Sequence, residues 1–179
     1  MIHPIVLFGD TSLNQKSGEI PLNFPKIDLE ELIVDMFETM HKANGIGLSA
    51  VQINVPFRLF IIEANIEAED FHFRGVFINP KMIREFGPMV KFSEGCLSVP
   101  TITASVERHS EIELEYYDEN LEFHTKIFSK FEARIIQHEY DHLEGILYVD
   151  RLPKMWKEAL EEPLKMVREK KLMLNYLTK

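Results

Sequence analysis

Apolar residues recur at helical spacing early in the chain. Leu29, Leu32, Ile33, Met36, Phe37 and Met40 are separated by one, three or four positions, which puts them on one stripe of a 3.6-residue helix. Asp28 followed by Glu31 forms a capping-box pattern at its start, and Asn44-Gly45 supply the stop. Further on the period changes to two. Residues 58–62 (RLFII) predict a strand, and 76–78 a short run closed by Asn79-Pro80. In 111–117, Ile112, Leu114 and Tyr116 alternate with Glu113 and Glu115, as in a strand with one buried face. Asp118-Glu119-Asn120 is a turn and 121–127 returns, so a hairpin is expected. Residues 4–8 (PIVLF) predict a short strand, and Pro21 and Pro25 bracket a loop.

A second helix is expected from Ser129, which with Glu132 repeats the capping-box pattern, and it stops at Gly145. After Pro153 the chain is helical and charge-rich, with Pro163 either kinking it or sitting in the first turn of a new helix. Helix, several strands, helix and tail is an α+β order, not regular βαβ alternation. Residues 1–179 are read as one domain, with 153–179 a variable helical C-terminal tail.

Composition narrows the function classes. Hydrophobic residues make up 45% and charged residues 27%, as in soluble globular chains. The net charge of -9 disfavours binding to nucleic acid over most of the surface. No apolar run approaches the roughly 20 residues of a membrane helix. The N-terminus has no basic region followed by a long apolar one, so no signal peptide is read. The lone Cys96 cannot form an internal disulfide, which fits a reducing cytoplasm.

The candidate chemistry lies in the second helix. His138-Glu139-Tyr140-Asp141-His142 is an H-E-x-x-H motif. At about 100° per residue, positions i and i+4 are only roughly 40° apart around the axis, so both imidazoles can share one ion. Glu139 is about 60° from His142, beside such a site, within reach of a water held there. The plainer alternative is a surface helix with two unrelated histidines. Ile135, Ile136 and Leu143 count against it, because they make the helix apolar. A catalytic centre needs a third protein ligand and an open position. Cys96, after Gly95 in E-G-C-L-S, and an acidic residue are the candidates; a lone cysteine is otherwise a small buried hydrophobe.

Taken together, three segments resemble the peptide deformylase family. Gly45-Ile46-Gly47-Leu48-Ser49-Ala50-Val51-Gln52 is similar to its first motif, G-x-G-L-A-A-x-Q. Glu94-Gly95-Cys96-Leu97-Ser98 is similar to the second, and Gln137-His138-Glu139-Tyr140-Asp141-His142 to the third, Q-H-E-x-D-H. The resemblance runs from the first strand to Leu152. It implies partly open, antiparallel sheets around a central metal-binding helix. It also implies removal of the N-formyl group from formyl-methionyl nascent chains, with release of formate.

The resemblance makes Cys96, His138 and His142 the metal ligands and Glu139 the general acid/base. Gln52 and the backbone N–H of Leu97 would polarise the formyl oxygen. The implied ion is one divalent metal, Fe2+ natively, with Zn2+, Ni2+ or Co2+ able to substitute. The methionine side chain is expected in an apolar pocket of Ile46, Phe92, Phe131 and Ile135, with Gly47 and Gly95 beside it. Ser49 departs from the family's alanine and should keep close packing; Thr103 stands where some members carry arginine; Phe92 is bulkier than the usual aliphatic residue.

Lys165, Arg168, Lys170, Lys171 and Lys179 make the end of the chain basic. A solvated helix face is the preferred account; a transient ribosome contact through the tail is the sharper one. Two other functions use the same motifs: a zinc endopeptidase, which would more often recruit His or Glu in place of Cys96, and a non-catalytic paralogue, against which intact Glu139 and Gln52 count.

Overall fold

The computed structural model describes residues 1–21, 23–67 and 70–179. Helix α1, Lys26–Lys42, buries Leu29, Ile33, Met36, Phe37 and Met40, the stripe read from the sequence. Its start differs: Pro25 occupies the cap position and Asp28 lies inside the first turn, where its charge still favours the helix N-terminus. Asn44 adopts φ 56 and ends the turn. The stripe packs on Leu48, Leu59, Ile61, Val76 and Ile78 to form one core.

These last residues belong to one open antiparallel sheet. Its strands are β1 (Gly47–Ser49), β2 (Leu59–Ile66), β3 (Phe71–Cys96), β4 (Val99–Tyr117) and β5 (Phe123–Ser129), paired in chain order. The expected end of a strand at Asn79-Pro80 is corrected here, because β3 continues through both residues. A register shift between Ile78 and Lys81 accommodates the proline, which has no N–H to offer the ladder. The outer β3–β4 ribbon gave no periodic signal because much of it faces solvent; Met89, Val90 and Phe92 are all exposed. The 111–117 segment is the last part of β4, and its Ile112 and Leu114 are buried as the alternation requires. It forms the expected hairpin with β5, Tyr117 opposite Phe123.

Helix α2, Lys130–Leu143, crosses this sheet. Ala133, Ile135, Ile136 and Leu143 pack among Phe60, Ile62, Phe77, Ile112, Leu114 and Phe128. Ser129, the last residue of β5, occupies the N-cap position as expected, but its side chain makes no capping hydrogen bond, so the capping box does not form. Gly145 ends the helix at φ 72, where a Cβ would sit 2.7 Å from the Asn14 carbonyl.

The tail is helical over α3 (Lys154–Ala159) and α4 (Glu161–Arg168), with Pro163 in the first turn of α4. The expectation of a helical tail is met only to Arg168. Lys170 turns left-handed at φ 52, and the remaining residues form no helix. Thr178 bridges Ile5 in parallel, so the residues expected to form an N-terminal strand find their partner at the opposite end of the chain. Among the described residues, no helix is long and apolar enough to cross a membrane.

Candidate metal centre

Three elements converge on the sulfur of Cys96. The E-G-C-L-S segment is the tip of the β3–β4 hairpin, with Gly95 opposite Thr103, Cys96 opposite Val99, and a register shift between them. Beneath it α2 offers His138 and His142. One ligand atom from each of Cys96, His138 and His142 lies within 4.8 Å of the others, and Cys96 Sγ is 3.2 Å from His142 Nε2.

The second nitrogen of His138 is already committed. Its Nδ1 lies 2.9 Å from Glu94 Oε2, which leaves Nε2 for an ion and fixes the ring plane. Glu94 in turn accepts from Arg108 Nε and Nη2, at 2.7 and 2.9 Å, and from Arg134 Nη1 at 2.9 Å. Arg108 Nη1 also donates to Asp141 Oδ2 at 2.7 Å, closing a buried charged network beneath the hairpin.

The electrostatics favour a cation. Burial works to raise the Glu94 pKa, but Arg108 and His138 outweigh it and hold the carboxyl well below its ordinary value. Burial also works against charged His138, and Cys96 and Glu94 overcome it, so positive charge is favoured between them. His142 goes the other way: burial keeps its imidazole neutral well below the ordinary pKa. A neutral imidazole has the lone pair a metal requires. A thiol, two imidazoles and a shared need for positive charge fit a divalent metal.

Glu139 is buried beside the candidate ligands. Ser49 Oγ donates to its Oε2 at 2.7 Å. Gly47 makes room on the other side, because a Cβ there would be 2.3 Å from Oε1. Burial pushes the Glu139 pKa above the ordinary carboxylate value, against the opposing effects of His138 and Ser49. Gln52 Oε1 accepts a hydrogen bond from the Ser49 backbone N–H (2.8 Å), which turns its Nε2 toward Cys96 Sγ and Ser98 Oγ.

A cavity of about 660 Å³ opens beside these groups. Ile46, Gly47, Phe92, Gly95, Phe131 and Ile135 all line it, together with Gln52, Cys96, Leu97, His138 and Glu139. His142 lies below, almost wholly buried. The Phe92 ring packs against Phe131 with centroids 5.5 Å apart and planes tilted by 51°, so its bulk forms part of the wall. His3, His41 and His124 pair with Asp35, Glu63 and Asp118, away from this centre.

Sequence reasoning missed two contributors. Ser49 was read as a packing change, although its departure from alanine was itself the signal. Met173–Tyr176 also line the cavity, from a segment with no recognisable motif. The role of Glu94 was legible only as part of E-G-C-L-S.

Residues 2–158 match the family model described as polypeptide deformylase. The chain is 42% identical to the peptide deformylase of Christiangramia forsetii, covering 98% of this chain and 94% of that protein. It is 40% identical to that of Flavobacterium psychrophilum, over 100% and 97%. Among solved structures, it is similar to the Met-Ala-Ser-bound class I type b peptide deformylase from Acinetobacter baumannii. The TM-score is 0.80 at 30% identity, over 85% of this chain and 99% of that one. The actinonin complex of the Ehrlichia chaffeensis enzyme matches with TM-score 0.84 at 31% identity, over 96% and 99%.

Proposed function

The chain belongs to the polypeptide deformylase family, and on that premise we propose that Cys96, His138 and His142 hold one divalent metal while Glu139 carries protons. The protein is a hydrolase that removes the N-formyl group from nascent N-formyl-methionyl polypeptides, releasing formate. The observation that carries the division of roles is the convergence of one thiol and two imidazoles within 4.8 Å, next to a buried carboxylate.

Held by Cys96, His138 and His142, such a metal would supply the Lewis acidity that makes water nucleophilic at neutral pH. Glu139 accepts the proton that water gives up and passes it to the leaving amine. Its raised pKa suits both halves of that task. Gln52 Nε2 and Leu97 N–H donate to the formyl oxygen as negative charge develops there. Gln52 is preset for this by the Ser49 amide. Ile46, Phe92, Phe131 and Ile135 receive the methionine side chain, and Gly47 and Gly95 let the substrate backbone lie close.

Ferrous iron is the proposed native ion, and zinc, nickel or cobalt accept the same ligand set. We place the enzyme in the cytoplasm, consistent with a single unpaired cysteine. A transient ribosome contact through residues 163–179 remains the finer reading of the tail. It is weakened because Lys165 pairs with Glu162 and Lys171 with Glu169.

The test is a formate-release assay on formyl-Met-Ala-Ser with anaerobically purified protein and metal analysis. Formate release with one ion per chain is expected. Cleavage at internal peptide bonds without formate would indicate an endopeptidase, and full metal occupancy without turnover would indicate a non-catalytic paralogue.

A further inference from the structure

We propose that the C-terminal segment Met173–Tyr176 is the outer wall of the substrate groove and grips the peptide from its third residue onward. The proposal rests on the deformylase reading above. Residues 171–179 alternate between exposed and half-buried: Leu172, Leu174, Tyr176 and Thr178 turn inward, and Met173, Asn175 and Leu177 turn outward. The chain bends at Leu172, Asn175 and Tyr176, and the alternation turns one side to the core and leaves the other free.

The segment is fastened at three places. Ile5 N–H donates to the Leu177 carbonyl at 2.8 Å, and Lys179 N–H to the Ile5 carbonyl at 3.0 Å. Tyr176 Oη donates to the Leu97 carbonyl at 2.8 Å, tying the wall to the hairpin that carries Cys96. Burial pushes the Tyr176 phenol up to about 12, so it remains a donor at any working pH. Leu172 and Leu174 pack on the core that includes Cys96 and Val99.

The wall lines the same cavity as Ile46 and Phe92. Between its anchors, the N–H groups of residues 172–176 make no backbone hydrogen bond among the described residues. Unpaired amides can donate to the carbonyls of a bound peptide, and the exposed Met173 thioether adapts to varied side chains. The family match stops at residue 158, so this wall lies outside the stretch that carries the three motifs.

Steady-state kinetics on formyl-Met-Ala and formyl-Met-Ala-Ser would test it. The comparison uses the wild-type holoenzyme, a chain truncated after Lys171, and Met173→Ala. Truncation should raise KM for the longer peptide about three- to tenfold more than for the shorter one, with Met173→Ala giving part of that difference. Equal changes on both substrates, or none, would overturn the wall. If the truncated chain does not fold, Met173→Ala decides alone, because that side chain is fully exposed and its removal spares the core. A wild-type protein that releases no formate from either peptide would sink the deformylase reading and this proposal with it, whereas length-independent kinetics sinks only the wall.

Discussion

Ser49 Oγ lies 2.7 Å from Glu139 Oε2, in a site from which both side chains exclude solvent. The same residue's N–H fixes Gln52, so one serine orients both the proposed proton carrier and a proposed oxyanion donor. Ser49→Ala keeps the backbone contact and removes only the hydroxyl. A hydrogen bond contributes about 0.5–1.5 kcal/mol net. The expected result is a drop in kcat of about three- to tenfold with little change in KM or metal content. An unchanged kcat would mean that other contacts hold the Glu139 carboxylate in place.

Gly47→Ala attacks the same carboxylate from the other side. The added methyl would sit 2.3 Å from Glu139 Oε1 and 2.9 Å from its Cδ, too close for either to stay. Loss of a positioned acid/base costs about 10²- to 10⁴-fold. The variant should fold and hold metal, yet lose at least about a hundredfold in kcat/KM. Near-normal turnover would show that Glu139 works from a different position.

Much of this centre was legible in the sequence, for physical reasons. The i, i+4 spacing of His138 and His142 fixes their shared face once the helix forms, and Ile135, Ile136 and Leu143 declare that helix's burial. Cys96 after Gly95 was readable as a candidate ligand, but its place at the β3–β4 hairpin tip was not. Long-range relationships were not. Ser49 and Glu139 are 90 positions apart, and no periodicity links them. The outer β3–β4 ribbon escaped because its residues face solvent, and a strand without a buried face has no hydrophobic alternation. The wall at Met173–Tyr176 escaped because its partner is Ile5, at the far end of the chain.

Glu94→Gln should affect both fold stability and metal binding. Glu94 accepts from Arg108 and Arg134 while meeting His138 Nδ1 at 2.9 Å, so the neutral amide leaves two buried guanidinium groups short of negative charge. Breaking a buried ion pair costs about 3–5 kcal/mol, so Tm should fall by roughly 10 °C. Losing the partner that orients His138 should weaken metal affinity about 10- to 100-fold. Calorimetry and metal titration read the two effects separately. Unaltered affinity at reduced Tm would mean that α2 alone sets the His138 ring.

The division between ligands and proton carrier is tested most directly by Glu139→Gln, assayed for formate release at measured metal occupancy. The amide preserves size and can still accept from Ser49 through its oxygen, but it cannot take up a proton at neutral pH. The account predicts a folded protein with near-normal metal content and turnover reduced at least about a hundredfold. Wild-type turnover at full occupancy would contradict Glu139 as the proton carrier, and loss of the metal would make it a ligand or a support of the Cys96, His138 and His142 set.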